Sequence, residues 1–313
     1  MKSKALWVLV IVLLLLALAY GGGSYYFSSV MIDGPTMSLA QTKADIEEAL
    51  PELNLPVPEE VSIPAGDVTL AGSYYDNDLD GRCAVLLLHG YTGTRYVALQ
   101  YAPLFWDRGC DLLAYDARGH GASTDTYHTY GYHEKQDALA AYEWLRDRSG
   151  LQPEQMALAG VSYGAATSLQ TAPLLPPETA FIIADSSYQD MRSIIRYQAV
   201  KQFGEWTKLF LPGAIFLAEQ RADFVMDEVS PQTAVTQTTI PILLVHAQED
   251  GFTPASHSET IYARSNQATT QLEITDWGAE HGMSIFEDPA AFGRMVDGFL
   301  AEYAPGFGLS SGR

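Results

Sequence analysis

The stretch MALAGVSYGAAT, Met156–Thr167, constrains the fold more than any other part of the chain. Its apolar run has the composition of a buried strand, and GAATSLQTA starts a helix directly afterwards. Between the two, Ser162 stands with Gly160 and Gly164 on either side. A turn from strand to helix this sharp leaves almost no space for side chains at the flanking positions. The helix that follows aims its first amides and its positive dipole end at the serine. This is the nucleophile-elbow pattern in its strand–turn–helix setting. It requires a sheet whose strand ends carry the chemistry, because open α/β sheets bind ligands beyond the carboxyl ends of their strands.

The remaining chain supplies such a sheet. AVLLLHG, DLLAYDARGHG, AFIIADSS, PILLVHAQED and TQLEITDW are apolar strand patterns, each running into a polar or glycine-bearing turn. Helical patterns separate them. In EKQDALAAYEWLRDRSG, residues Ala138, Ala141, Tyr142 and Leu145 share a face and Gly150 ends the helix. ALQYAPLFWDRG also has helical spacing, and the last helix starts with Asp288 as N-cap and Pro289 at its first position. Buried strands alternating with helices predict an α/β protein with a mostly parallel central sheet and helices on both faces. VSIPAGDVTLAGSYYDN reads as a hairpin turning at Ala65-Gly66-Asp67. More than fifty residues between Ser187 and Pro241 contain no strand pattern, only helical runs broken at Pro212-Gly213. A connection that long has structure of its own. It predicts a small helical cap at about 188–230, inserted before the penultimate strand.

The expected order is an N-terminal segment over 1–32, a linker over 33–60, the α/β domain over 61–305, and a tail over 306–313. The first segment has Lys2 and Lys4 followed by an apolar run from Ala5 to Tyr20, with no charge until Asp33. That is a targeting segment standing apart from the fold. It predicts export, with the lysines left inside and the catalytic domain outside, held by an uncleaved membrane anchor. Cleavage near Ala19, giving a released protein, is the alternative. A net charge of −20 over 313 residues repels nucleic-acid phosphates and gives no overall attraction to anionic lipid head groups. Nucleic acid is therefore excluded as a partner. Cys83 and Cys110 are the two cysteines. Each lies near the start of a predicted strand, so they either bridge neighbouring strands or remain two buried thiols.

A serine hydroxyl needs a base to take its proton, and the base needs a carboxylate to fix its tautomer. In this motif class the acid and then the histidine follow the serine along the chain. His246, His257 and His281 follow it; His281, in the loop after the last strand and next to Gly282, is the candidate base. Asp250, before Gly251, is the preferred acid. Glu249 is the runner-up, and Asp185 suits a structural role at a strand end. His89, at another strand end, suits loop shaping, and His120, His128 and His133 precede the serine in one polar loop region. The backbone N–H groups of Tyr163 and Tyr91 are the candidate oxyanion donors. Phe203, Trp206, Phe210, Leu211 and Phe216 of the cap either line an acyl pocket or pack the cap helices together.

LLLHGYTG, YDARGHGAS, GVSYG, HAQEDGFTP and EHG, in this order, resemble the α/β-hydrolase superfamily of serine hydrolases over roughly Val61 to Pro305. The chain looks most similar to exported, membrane-anchored bacterial members related to prolyl-oligopeptidase-like and cinnamoyl-esterase-like hydrolases. The resemblance implies Ser162 as nucleophile, Asp250 as acid, His281 as base, and the amides of Tyr91 and Tyr163 as the oxyanion hole. It implies no metal and no organic cofactor. The expected substrate is a small ester cleaved through an acyl-enzyme. A short peptide or amide on the same residues is the near rival, and a non-catalytic binding protein the distant one.

Overall fold

The computed structural model describes residues 2–79 and 82–308, so the expected tail at 306–313 lies outside the described residues from 309 onward. Eight strands form one sheet: β1 (Glu59–Ala65), β2 (Val68–Tyr75), β3 (Cys83–Leu88), β4 (Cys110–Tyr115), β5 (Met156–Val161), β6 (Phe181–Asp185), β7 (Ile242–Ala247) and β8 (Thr270–Thr275). Their spatial order is β1-β2-β4-β3-β5-β6-β7-β8. The β1–β2 hairpin is antiparallel, as is its junction with β4, and every other pairing is parallel. The longer helices are α1 (Lys2–Ile32), α2 (Leu39–Ala49), α3 (Glu134–Ser149), α4 (Tyr163–Thr171), α5 (Met191–Phe203), α6 (Leu211–Ala222), α7 (Ser256–Arg264) and α8 (Pro289–Tyr303).

The strand patterns become strands because both faces of the sheet are covered. Val85, Leu87, Leu112 and Ile183 point into one apolar layer with Phe292 and Phe299 of α8. Leu86, Leu113, Leu158 and Ile182 point into the other with Ala138, Ala141, Tyr142 and Leu145 of α3. Burial on alternate sides explains why these strands read as continuous apolar runs. Cys83 and Cys110 sit opposite each other in the β3–β4 register and form a disulfide, with Cα atoms 4.5 Å apart. Of the two alternatives for the cysteines, the bridge is the one found.

Three sequence expectations change in detail. The helix expected over ALQYAPLFWDRG is a chain of short α and 3-10 turns between Arg95 and Arg108, interrupted where Pro103 lacks an amide to donate. The segment before β1 contains α2, whose Ser38 caps Gln41 and whose Thr42 hydroxyl lies 2.6 Å from that of Thr94. Finally, α1 does not stand wholly apart from the body. The helix over Lys4–Ile32 is long and apolar enough to cross a membrane and residues 5–19 of it are exposed, but Phe27, Met31 and Ile32 are buried. Gly23 lies against the Phe210 ring, Tyr20 stacks on Phe210 at 5.7 Å, and the carbonyl of Ile32 accepts from the His128 amide at 2.9 Å.

The cap is α5, a 3-10 turn over Glu205–Leu209, and α6. It also reverses the charge of the molecule locally. Arg192, Arg196, Lys201, Lys208 and Arg221 fall within α5–α6, against Glu205 and Glu219 alone.

Candidate active site

Ser162 follows β5 and opens α4 with φ +54° and ψ −110°, a backbone state that non-glycine residues rarely hold. Neighbouring glycines make it possible. A side chain on Gly160 would meet the backbone of Gly164, and one on Gly164 would meet the carbonyls of Leu88 and His89. The Ser162 amide is fixed by donating to the Asp185 carbonyl at 2.7 Å. Such local strain persists only where the surroundings over-determine it.

Asp250 lies three residues beyond β7 and His281 lies in the loop beyond β8. His281 Nδ1 is 2.6 Å from Asp250 Oδ2, and His281 Nε2 is 2.8 Å from Ser162 Oγ. An ionised Asp250 fixes the Nδ1–H tautomer, which leaves Nε2 to accept from the serine hydroxyl. The second Asp250 oxygen accepts from the amides of Phe252 and Thr253 at 2.8 and 2.7 Å. His246 Nε2 adds a contact of 3.1 Å to Oδ2. Burial raises the pKa of Asp250, but the hydrogen bonds from His246, His281 and Thr253 and the charge of His281 outweigh it. The carboxyl is held well below the ordinary range. Gly282, at φ +68°, donates its amide to the Ser186 hydroxyl at 3.1 Å and brings the histidine loop onto Val161.

The sequence candidates separate cleanly. Ser162, Asp250 and His281 meet at hydrogen-bond distance. Glu249 points to solvent. Asp185 accepts from the hydroxyls of Tyr101 and Ser186, both at 2.9 Å, and lies beneath the serine turn. His246 braces the Asp250 loop: its Nδ1 accepts from Ser258 at 2.7 Å while its Nε2 donates to the Thr253 carbonyl at 2.6 Å. His89 accepts from the Ala117 amide at 2.9 Å. Arg118 grips Asp137 with two bonds of 2.6 and 2.7 Å. Tyr163 follows Ser162 directly, and Tyr91 follows Gly90, whose Cα faces the Ser162 Cβ and Val161.

Glu134 was not among the sequence candidates. It is buried and takes donors from the Thr129 amide and hydroxyl, the Gly131 amide and the Tyr163 hydroxyl, at 2.7 to 2.8 Å. Burial raises its pKa, yet this set of donors overcomes burial and lowers it. The residues stand together in HTYGYHE, where Thr129 precedes the helix-opening glutamate by five residues, but an acidic residue in the first turn of a helix is ordinarily there for the helix dipole.

A cavity of about 220 Å³ reaches Ser162. Tyr91, Tyr130, Tyr163 and Tyr188 lie on its body side, Phe203 and Leu211 on the cap side, and Phe27, Val30 and Met31 of α1 complete it. Phe203 and Leu211 thus line a pocket, whereas Phe210 packs on Tyr20 and Phe27, and Trp206 and Phe216 are exposed. Among the described residues, no carboxylate or cationic side chain lines the cavity.

The sheet, its helices and the strand-end cluster define an α/β hydrolase. The chain belongs to the X-Pro dipeptidyl-peptidase (S15) family, whose profile matches residues 35–222 and therefore includes Ser162 but stops short of Asp250 and His281. It is similar to the uncharacterized protein YqkD of Bacillus subtilis, 30% identical over 219 residues covering 69% of this chain and 70% of that one. Among solved structures, an esterase of Pyrococcus furiosus shares the fold with a TM-score of 0.66 at 23% identity, covering 86% of this chain and 98% of that one. An acylaminoacyl peptidase of Pyrococcus horikoshii has a TM-score of 0.59 at 18% identity, covering 82% of this chain and 43% of that one.

Proposed function

We propose that the protein is a serine hydrolase that cleaves carboxylic esters. The carrying observation is the relay Ser162–His281–Asp250, at 2.8 and 2.6 Å, beside an apolar cavity. His281 Nε2 takes the Ser162 proton as Oγ attacks the ester carbonyl. The developing oxyanion is held by the amides of Tyr163 and Tyr91. His281 then returns the proton to the leaving alcohol, and an acyl-enzyme remains. Water, deprotonated by the same histidine, attacks the acyl group and releases the acid with Ser162 restored. Asp250 keeps the imidazole in its tautomer and stabilises the imidazolium.

Peptide cleavage is the second reading, favoured by the family's description and by the acylaminoacyl peptidase likeness. The cavity lining argues for esters with an apolar acyl part, because a free peptide terminus needs an opposite charge where it is desolvated. Turnover of p-nitrophenyl esters against aminoacyl anilides, with Ser162→Ala as the blank, decides between them. Preference for anilides overturns the ester reading, and native protein that a fluorophosphonate does not label at Ser162 overturns both.

In the same reading α1 is a membrane anchor with the catalytic domain outside the cell. Its exposed apolar stretch, residues 5–19, spans about 22 Å at ~1.5 Å per residue. A hydrocarbon layer is about 30 Å thick. The boundary therefore falls near Tyr20–Tyr26, beside the exposed Trp206, the level at which aromatic residues favour the membrane interface.

A further inference from the structure

The segment that sequence sets aside as an address label forms one side of the cavity. Val30 and Met31 lie three and four residues after Phe27, so they share a face of α1 with it. Opposite them stand Ile194, Phe203 and Leu211 of the cap. This wall is built into the domain. Arg221 Nη1 donates to the hydroxyls of Ser28 and Ser29 at 2.7 and 2.8 Å, and its guanidinium lies 4.6 Å from the Tyr25 ring centre. The Ile32 carbonyl is bonded to His128, and the Met37 amide donates to the Thr92 carbonyl at 2.7 Å, next to Tyr91. Cleavage near Ala19 would leave all of it in place.

We infer that the last turns of α1 are the specificity-determining wall of the acyl site, and that the acyl group is an apolar chain of medium length that reaches this wall. The aromatic and aliphatic lining carries the apolar class, and a cavity of about 220 Å³ limits how long the chain can be. The chain runs from the Ser162 carbonyl position past Met31 and Leu211 and ends against the Phe27–Phe203 pair, whose ring centres lie 5.3 Å apart. This inference rests on the ester-hydrolase reading and adds the substrate's acyl class to it.

The test is the acyl-length profile of the full chain in detergent, read as kcat/KM on p-nitrophenyl esters from acetate to dodecanoate. The wild type peaks at hexanoate or octanoate. Met31→Ala lowers the octanoate-to-acetate ratio about tenfold or more, the scale at which apolar pockets discriminate chain length. Val30→Trp, at a position 41% exposed where a larger side chain can be accommodated, narrows the cavity and moves the peak to shorter chains. Leu15→Ala lies on the same helix away from the cavity and keeps the wild-type ratio. A profile that stays the same in Met31→Ala and Val30→Trp overturns the inference while leaving the ester hydrolase standing. So does a Leu15 variant that moves the ratio as far as they do. No ester turnover in the wild type, with no label on Ser162, removes the underlying reading as well.

Discussion

The loops at the strand ends and the roof above them are built by different forces. At the strand ends each proposed catalytic side chain is fixed by directional polar bonds: Ser162 by His281, His281 by Asp250, and Asp250 by Phe252, Thr253 and His246. The roof, made of α1 and the cap, is held chiefly by apolar and ring contacts, with Phe27 touching Phe203, Trp206 and Phe210. The two regions join where cap residues Tyr197, Gln198 and Lys201 donate to the carbonyls of Gly251 and Phe252, beside the acid. Polar geometry tolerates little displacement, whereas an apolar wall can be reshaped at moderate cost. On the proposed function, chemistry belongs to the strand ends and substrate choice to the roof.

Strand-end substitutions break turnover on every ester alike, and this is the largest effect expected. Ser162→Ala or His281→Ala lowers kcat by about 10⁶-fold, and Asp250→Asn by about 10⁴-fold, as in other serine relays. Steady-state rates on acetate and octanoate esters check this. A loss in Asp250→Asn confined to one acyl length would place the acid in substrate choice and erase the distinction between the regions.

The disulfide sits at the amino ends of β3 and β4, far along the sheet from both regions. It closes a loop of sequence separation 27, for which chain-entropy reasoning gives about 3–4 kcal/mol. Cys83→Ala with Cys110→Ala should lower the unfolding free energy by that order, measured by urea titration. The acyl-length profile of the folded fraction should not move. A changed profile would mean that the far end of the sheet also sets the roof.

What was legible in the sequence follows the same division. Ser162 was legible because its backbone state demands Gly160 and Gly164, and His281 and Asp250 because chain order and strand ends limit the choice. The parallel sheet was legible because two-sided burial writes continuous apolar runs. The wall on α1 was not, because Phe27 and Met31 look the same in sequence whether they face lipid, cap or substrate. Nor was the division of the cap aromatics, which depends on how α5 and α6 rotate against α1. A net charge of −20 does not show that α5–α6 carry five basic residues against two acidic ones, because a sum has no positions. Glu134 was hidden because its importance lies in donors gathered by folding.

Glu134 tests how firmly the body supports the serine turn. Glu134→Gln swaps an acceptor-only carboxylate for an amide that cannot serve all four donors. Leaving a buried donor unpaired costs about 1–3 kcal/mol. Thermal unfolding should show that loss. Because Tyr163 carries both a hydroxyl bonded to Glu134 and the proposed oxyanion amide, kcat should fall on all acyl lengths together. A loss of stability with kcat intact would make Glu134 a support for α3 alone.

The smallest single-residue effect is on the slope of stability with pH, and it also belongs to the body. Burial lowers the pKa of His89, His120, His128 and His257, that of His120 to about 2 and that of His257 to about 4. In the unfolded chain these groups titrate near 6.5. Below that value the unfolded state binds protons that the folded state refuses, so stability is full above about pH 6.5 and is lost as pH falls. The slope for each histidine approaches about 1.4 kcal/mol per pH unit. Asp137, raised by burial to about 6, and Asp111 and Asp185, also raised by burial, oppose this between their folded values and the unfolded value near 3.9, as three groups against four. Urea midpoints should therefore fall from pH 7 to pH 5. His120→Phe, which keeps an aromatic ring against His89 and His128, should reduce the slope by close to one proton. Equal slopes in the two proteins would mean that His120 takes up its proton in the folded state, and the buried ring cluster beneath Tyr91 would then be open to water.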